Sequence, residues 1–195
     1  MSAGGASALK VLFLGCGGTG GYYGARLIQA GASVSFLVRP ARAAKLHGNG
    51  LVIQTPRERF TIPKVHTQTV GTSGFDLVFL TCKAYDLDSA MQAISPCFAG
   101  DKHTVLIPLL NGVKHYERLD EVFGVKRVLG GCVHIMAELD SEGVVRQGNP
   151  MNRITYGLRP GNSPQAADTL NRLHAFFSST TVDARLSDVI MQGMP

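Results

Sequence analysis

Four short apolar runs, at residues 11–14, 33–38, 75–82 and 104–110, divide the first part of the chain, and helical spacing follows each of them. Runs this short and this continuous predict strands buried on both faces, as in a parallel sheet. After the first run, Tyr23, Gly24, Leu27 and Ile28 fall on one helical face while Arg26 and Gln29 point elsewhere. After the second, residues 40–47 favour a short helix with proline in its first turn. Leu87, Ala90, Met91 and Ile94 mark a third helix, and Val113, Tyr116, Leu119 and Phe123 a fourth. Strand and helix thus alternate four times, which predicts an α/β fold built on a Rossmann-like, doubly wound sheet whose first half is parallel.

The remaining segments read differently. Residues 51–55 and 59–63 alternate around Pro56 as a small hairpin or edge pair, and the basic segment 64–69 carries no clear signal. Beyond Val128, residues 128–139, 143–147 and 153–158 look like consecutive strands joined by turn residues, so the sheet is expected to finish with mixed or antiparallel strands. Ser163 and Pro164 open a helix with Ala166, Leu170, Leu173 and Phe177 on one face, residues 180–186 offer a last strand, and Ser187 and Asp188 start another helix. The expected organisation is a flexible tail over residues 1–8, a cofactor domain over 9–186, and the start of a linker helix over 187–195.

Composition narrows the function. With 195 residues and 45% hydrophobic content, the chain can bury one substantial core. Its first eight residues are small and polar and the next apolar run is brief, so neither a signal peptide nor a membrane span is expected, and a cytoplasmic location follows by default. Cys16, Cys82, Cys97 and Cys132 form no C-x-x-C pair and sit in or beside apolar segments, which suits reduced, buried thiols. The net charge of +5 and pI of about 9.2 come from dispersed basic residues, so small anionic ligands explain them better than nucleic acid. The histidines show no metal-ligand spacing, and no metal is assigned.

The first apolar run leads directly into Gly15, Gly17 and Gly20, spaced as G-x-G-x-x-G and followed by a helix and a second strand, which is the pattern of a dinucleotide-binding βαβ unit. In such folds an acidic residue at the end of the second strand binds the ribose 2′-hydroxyl. Here Arg39 stands there, with Arg42 one turn on and no Asp or Glu between Gly31 and Glu58, which favours NADP(H) over NAD(H) because a guanidinium binds a 2′-phosphate. Lys83 and Asn111 each directly follow a predicted parallel strand, at the sheet edge where ligands bind. Lys83 suits an anionic group or the nicotinamide end, and Asn111 a substrate carbonyl or carboxylate. His134, in the apolar GGCVHIM, reads as a core histidine, and Asp76 as a turn or cap residue.

Taken together, KVLFLGCGGTGG, Arg39, the TCKAYD around Lys83 and the LLNGV around Asn111 resemble the ketopantoate reductases, over essentially the whole chain from Lys10. That resemblance implies NADPH-dependent reduction of 2-dehydropantoate, a small anionic 2-keto acid, to pantoate on the way to coenzyme A. It implies that Gly15, Cys16, Gly17, Gly18, Thr19 and Gly20 contact the cofactor phosphates and that Arg39 reads the 2′-phosphate. It places Lys83 and Asn111 at the nicotinamide and substrate end, with Met136 at a further cofactor contact. The family's proton-donating lysine belongs to a helical second domain, and this chain has no lysine after Lys126. The expectation is therefore a domain that binds NADPH but reduces 2-dehydropantoate poorly on its own, with exposed apolar surface that favours a homodimer. A related 2-keto-acid or imine reductase and a non-catalytic NADP-binding module are the alternatives.

Overall fold

The computed structural model describes residues 8–100 and 103–192. Most of the tail expected over residues 1–8 lies outside the described residues. Strand β1 (Lys10–Leu14) leads through the glycine turn into helix α1 (Gly18–Gln29), and strand β2 (Ser33–Leu37) into helix α2 (Pro40–Asn49). A hairpin of β3 (Leu51–Gln54) and β4 (Arg59–Ile62) and a short strand β5 (His66–Gln68) precede β6 (Leu77–Leu80) and helix α3 (Leu87–Ile94). Next come β7 (Val105–Pro108), helix α4 (His115–Phe123) and two long strands, β8 (Gly130–Leu139) and β9 (Val145–Gly157). Helix α5 (Pro164–Ser178), capped by the Ser163 hydroxyl, and strand β10 (Ala184–Leu186) complete the described elements.

The strands form two sheets. The first is parallel throughout, in the order β5-β2-β1-β6-β7, and its central strands are apolar on both faces, as the uninterrupted runs predict. The second runs β10-β9-β3-β4, with β8 on β9, and mixes parallel and antiparallel pairs. The mixed strands therefore build a separate sheet instead of finishing the first one. After a single bridge from Val128 to Leu106, β8 leaves β7 and pairs with β9, exposing alternate residues of both strands.

Helix α1 lies between the sheets. Eight successive residues from Gly20 to Leu27 are buried, so the helix has no solvent face over two turns. Its glycines allow this approach: a Cβ on Gly24 would meet the Phe36 ring of β2 at 2.5 Å, and one on Gly21 would meet Val145 of β9 at 2.7 Å. Arg26 is buried too, contrary to its expected outward direction. Its guanidinium bonds Glu58 at 2.8 Å and stacks between Tyr22 and Phe60, an ion pair that makes its place against the β3–β4 hairpin tolerable.

Three further differences have local causes. The strands expected at 143–147 and 153–158 are one strand, because the Asn149-Pro150 step is absorbed by a register shift opposite Met136. Strand β5 is polar and only three residues long, and it exists through backbone pairing with the edge of β2. The helix expected from Ser187 is a single 3-10 turn, Ile190–Gln192, within the described residues, because Ser187 N–H bonds Tyr156 O at 2.9 Å and continues the β10–β9 ladder first. Asp76 acts structurally, accepting from Lys10 N at 2.8 Å and so tying the start of β6 to β1.

Candidate cofactor site

The carboxyl ends of the parallel strands converge on one edge. Leu14 of β1 pairs with both Leu37 of β2 and Leu80 of β6, and Leu80 pairs with Pro108 of β7. The glycine loop, Arg39, Lys83 and Asn111 therefore all leave the sheet at the same level. Beside them lies a cleft of about 670 Å³, lined by Gly15, Gly17, Arg39, Thr81, Ala90 and Leu139 among others.

The three glycines of the loop stand in different surroundings. Gly15 has φ +99°, a conformation that side chains rarely adopt, and its N–H bonds Leu37 O at 2.9 Å. Gly20 lies against the Gly15 carbonyl and the Thr81 hydroxyl, leaving no room for a Cβ. Gly17 differs: its backbone is ordinary, and a Cβ there would meet nothing within 4 Å. It faces open space at the start of α1, where free N–H groups and the helix dipole favour an anion. Among the described residues no group accepts from the Gly17 N–H, so the cradle fits a diphosphate bridge.

Two side chains hold this loop, and the sequence pattern assigned neither to that task. Thr81 donates its hydroxyl to Leu14 O at 2.6 Å, joining the ends of β1 and β6 under the turn. Arg42, on α2, donates Nε to Cys16 O at 3.0 Å and Nη1 to Gly143 O at 3.0 Å, with Nη2 3.7 Å from the Cys16 sulfur. The only sequence signal for Arg42 is its position one turn after Arg39, and that does not reveal its partners in the glycine loop and the β8–β9 turn. Strand β8 adds a brace from above: the Gly131 backbone lies against Pro108, and the Ala137 carbonyl against Gly18.

Arg39 is exposed at the N-terminus of α2, lines the cleft and makes no side-chain bond among the described residues. Lys83 and Asn111 are exposed at the edge beyond the cleft, on neighbouring strands. Cys16 is buried, and burial pushes its thiol up to about 11 despite Arg42 beside it. Burial likewise pushes the Cys82 thiol up to about 11, and both thiols stay protonated near neutrality. Met136 is exposed with its sulfur over Gly148, and its side chain is not part of the cleft wall.

His134 is also exposed, not part of the core as expected. It sits on the face of β8 turned away from the packed residues Val133 and Ile135, beside Arg153 of β9. The four cysteines are free thiols, and among the described residues no cluster of His, Cys, Asp or Glu could hold a metal ion. No helix of the described residues is long and apolar enough to cross a membrane.

A family model described as ketopantoate reductase PanE/ApbA matches residues 11–161. The uncharacterized oxidoreductase YkpB of Bacillus subtilis is 33% identical over 179 residues, which are 92% of this chain and 57% of that protein. The crystal structure of 2-dehydropantoate 2-reductase from Geobacter metallireducens superposes with a TM-score of 0.79 at 29% identity, covering 92% of this chain and 58% of the other. A D-mandelate dehydrogenase solved with NADH shares the fold, with a TM-score of 0.79 at 23% identity over 94% of this chain and 58% of its own. The chain thus spans little more than half the length of these relatives.

Proposed function

The chain belongs to the ketopantoate reductase PanE/ApbA family, and we propose that it binds NADPH at the glycine-loop cleft and forms one wall of a site that reduces 2-dehydropantoate to pantoate. The observation that carries this reading is the alignment of the Gly17 cradle, the unpaired Arg39 and the two exposed polar groups, Lys83 and Asn111, along one sheet edge. A bound NADPH would supply the hydride that reduces a ketone carbon.

The chain's own residues account for binding and orientation. The Gly17 N–H and the start of α1 hold the diphosphate bridge, and Arg39 holds the 2′-phosphate at the end of β2. No carboxylate stands near Arg39 on β2 or α2 to favour a free ribose hydroxyl. Lys83 attracts the carboxylate of a 2-keto acid or orients the nicotinamide end. Asn111 donates to the carbonyl oxygen as negative charge develops on it. Titrating the protein with NADPH tests the first half, and following NADPH oxidation on addition of 2-dehydropantoate, which is expected to be slow with this chain alone, tests the second. Absence of NADPH binding would reject the proposal, and binding with reduction of a different keto acid alone would move it to another substrate.

A further inference from the structure

Arg39 and Arg42 lie one turn apart beside the same cleft, yet their guanidinium groups are in different states. Arg39 is exposed and unbonded, whereas Arg42 spends its donors on the Cys16 carbonyl, the Gly143 carbonyl and the Cys16 sulfur. We propose that Arg42 is the positioning residue of the diphosphate cradle: it fixes the peptide between Cys16 and Gly17 so that the Gly17 N–H faces the bound anion. This inference rests on the proposed dinucleotide site.

In a trans peptide the carbonyl and the N–H of the same plane point in opposite directions. Holding Cys16 O toward α2 therefore turns the Gly17 N–H away from α2. That N–H has no acceptor among the described residues, and Gly17 borders open space. Without Arg42, the Cys16 carbonyl is free to rotate into the cradle, where an oxygen would repel a phosphate and the N–H would be lost to it.

The rest of the clamp is built around the same side chain. Gly143 has φ +91°, and a Cβ on it would stand 3.0 Å from Arg42 Nη1, so the turn between β8 and β9 leaves a place for the guanidinium. Lys45, one turn further along α2, donates to Ser141 O at 3.0 Å and holds the same turn from the same helix. Helix α2, the glycine loop and the β8–β9 turn are thus joined through Arg42, and no step of this needs Arg42 to touch the cofactor.

Three ligands separate positioning from direct contact: NADPH, NADH, and adenosine 2′-monophosphate, which carries the 2′-phosphate but no diphosphate bridge. Their affinities are measured by calorimetric titration on the 195-residue chain and on Arg42→Ala, Arg42→Lys and Arg39→Ala. Arg42→Ala is expected to weaken NADPH and NADH by the same factor, roughly tenfold, and to leave adenosine 2′-monophosphate unchanged. Arg42→Lys, which keeps one donor for Cys16 O and remains available if the alanine variant unfolds, is expected to recover part of that loss. Arg39→Ala is expected to do the reverse, weakening NADPH and adenosine 2′-monophosphate and sparing NADH. A loss confined to the two 2′-phosphate ligands in the Arg42 variants, or no loss at all, would overturn the proposal while leaving the site intact. If the unaltered chain binds neither dinucleotide, the functional reading fails and the role of Arg42 with it.

Discussion

Lys83 and Asn111 stand at equivalent positions on adjacent strands: each lies three residues beyond a member of the Leu80–Pro108 pair, and both side chains are exposed at the sheet edge. Under the proposed function, one anionic substrate meets both groups from that edge. Replacing Asn111 with alanine is expected to slow 2-dehydropantoate reduction about 10²-fold, the effect of losing one donor to a developing oxyanion. The NADPH affinity should change little. Steady-state rates and separate cofactor titrations check this, and an unchanged rate would remove Asn111 from the reacting end.

Gly17, at the N-cap of α1, and Gly24, in the middle of the same helix, should respond in opposite ways to alanine. At Gly24 the new methyl meets the Phe36 ring at 2.5 Å, and separating α1 from β2 should cost about 1–3 kcal/mol of stability. At Gly17 it meets nothing within 4 Å, so stability should stay within about 0.5 kcal/mol of the original. NADPH affinity should nevertheless fall at least roughly tenfold, because the methyl occupies the cradle. Chemical denaturation and cofactor titration of both variants read the contrast.

Arg159 makes a paired contact with Asp120, Nη1 to Oδ1 at 2.9 Å and Nη2 to Oδ2 at 2.7 Å, and adds a bond to Val128 O while stacking on Tyr116. Only 10% of its side chain is exposed, so Arg159→Leu leaves a half-buried carboxylate without its partner. The expected loss is about 3 kcal/mol in denaturant unfolding. Arg159→Leu combined with Asp120→Asn should be less damaging than the sum of the two single changes.

His115, buried at the start of α4, should make the fold sensitive to mild acid. Burial, with Arg159 nearby, lowers its pKa from 6.5 to about 4, and its Nε2 has no hydrogen-bond partner among the described residues. The unfolded chain therefore binds a proton between about pH 4 and 6.5 that the folded chain refuses, and stability falls as pH drops through that window. Asp140 and Asp183, held below the usual carboxylate value of 3.8 chiefly by hydrogen bonds, act in the same direction only at lower pH. Unfolding curves measured from pH 4 to 6.5 should show this slope, and His115→Gln should flatten it.

The sequence was most informative where one constraint governs a residue. Buried strands of the first sheet must be apolar on both faces, and Gly15 must tolerate a positive φ, so both could be read directly. It was least informative where the partner is distant in the chain. Arg26 looks like a surface residue until Glu58 and Phe60 arrive beside it, and Arg42 looks like a second phosphate reader until Cys16 and Gly143 are seen to occupy it. His134 was misplaced for a different reason. An apolar run reads alike in a strand covered on two faces and one covered on a single face, and β8 is of the second kind.

Under the proposed function Arg39 sets the choice of cofactor, and the ratio of NADPH to NADH affinity on the unaltered chain and on Arg39→Ala is the decisive measurement. The unaltered chain is expected to bind NADPH roughly 10- to 100-fold more tightly than NADH, as loss of charge-assisted bonds to one phosphate implies, and Arg39→Ala to remove most of that preference by weakening NADPH alone. Equal affinities in the unaltered chain, or a preference for NADPH that survives the loss of Arg39, would contradict it.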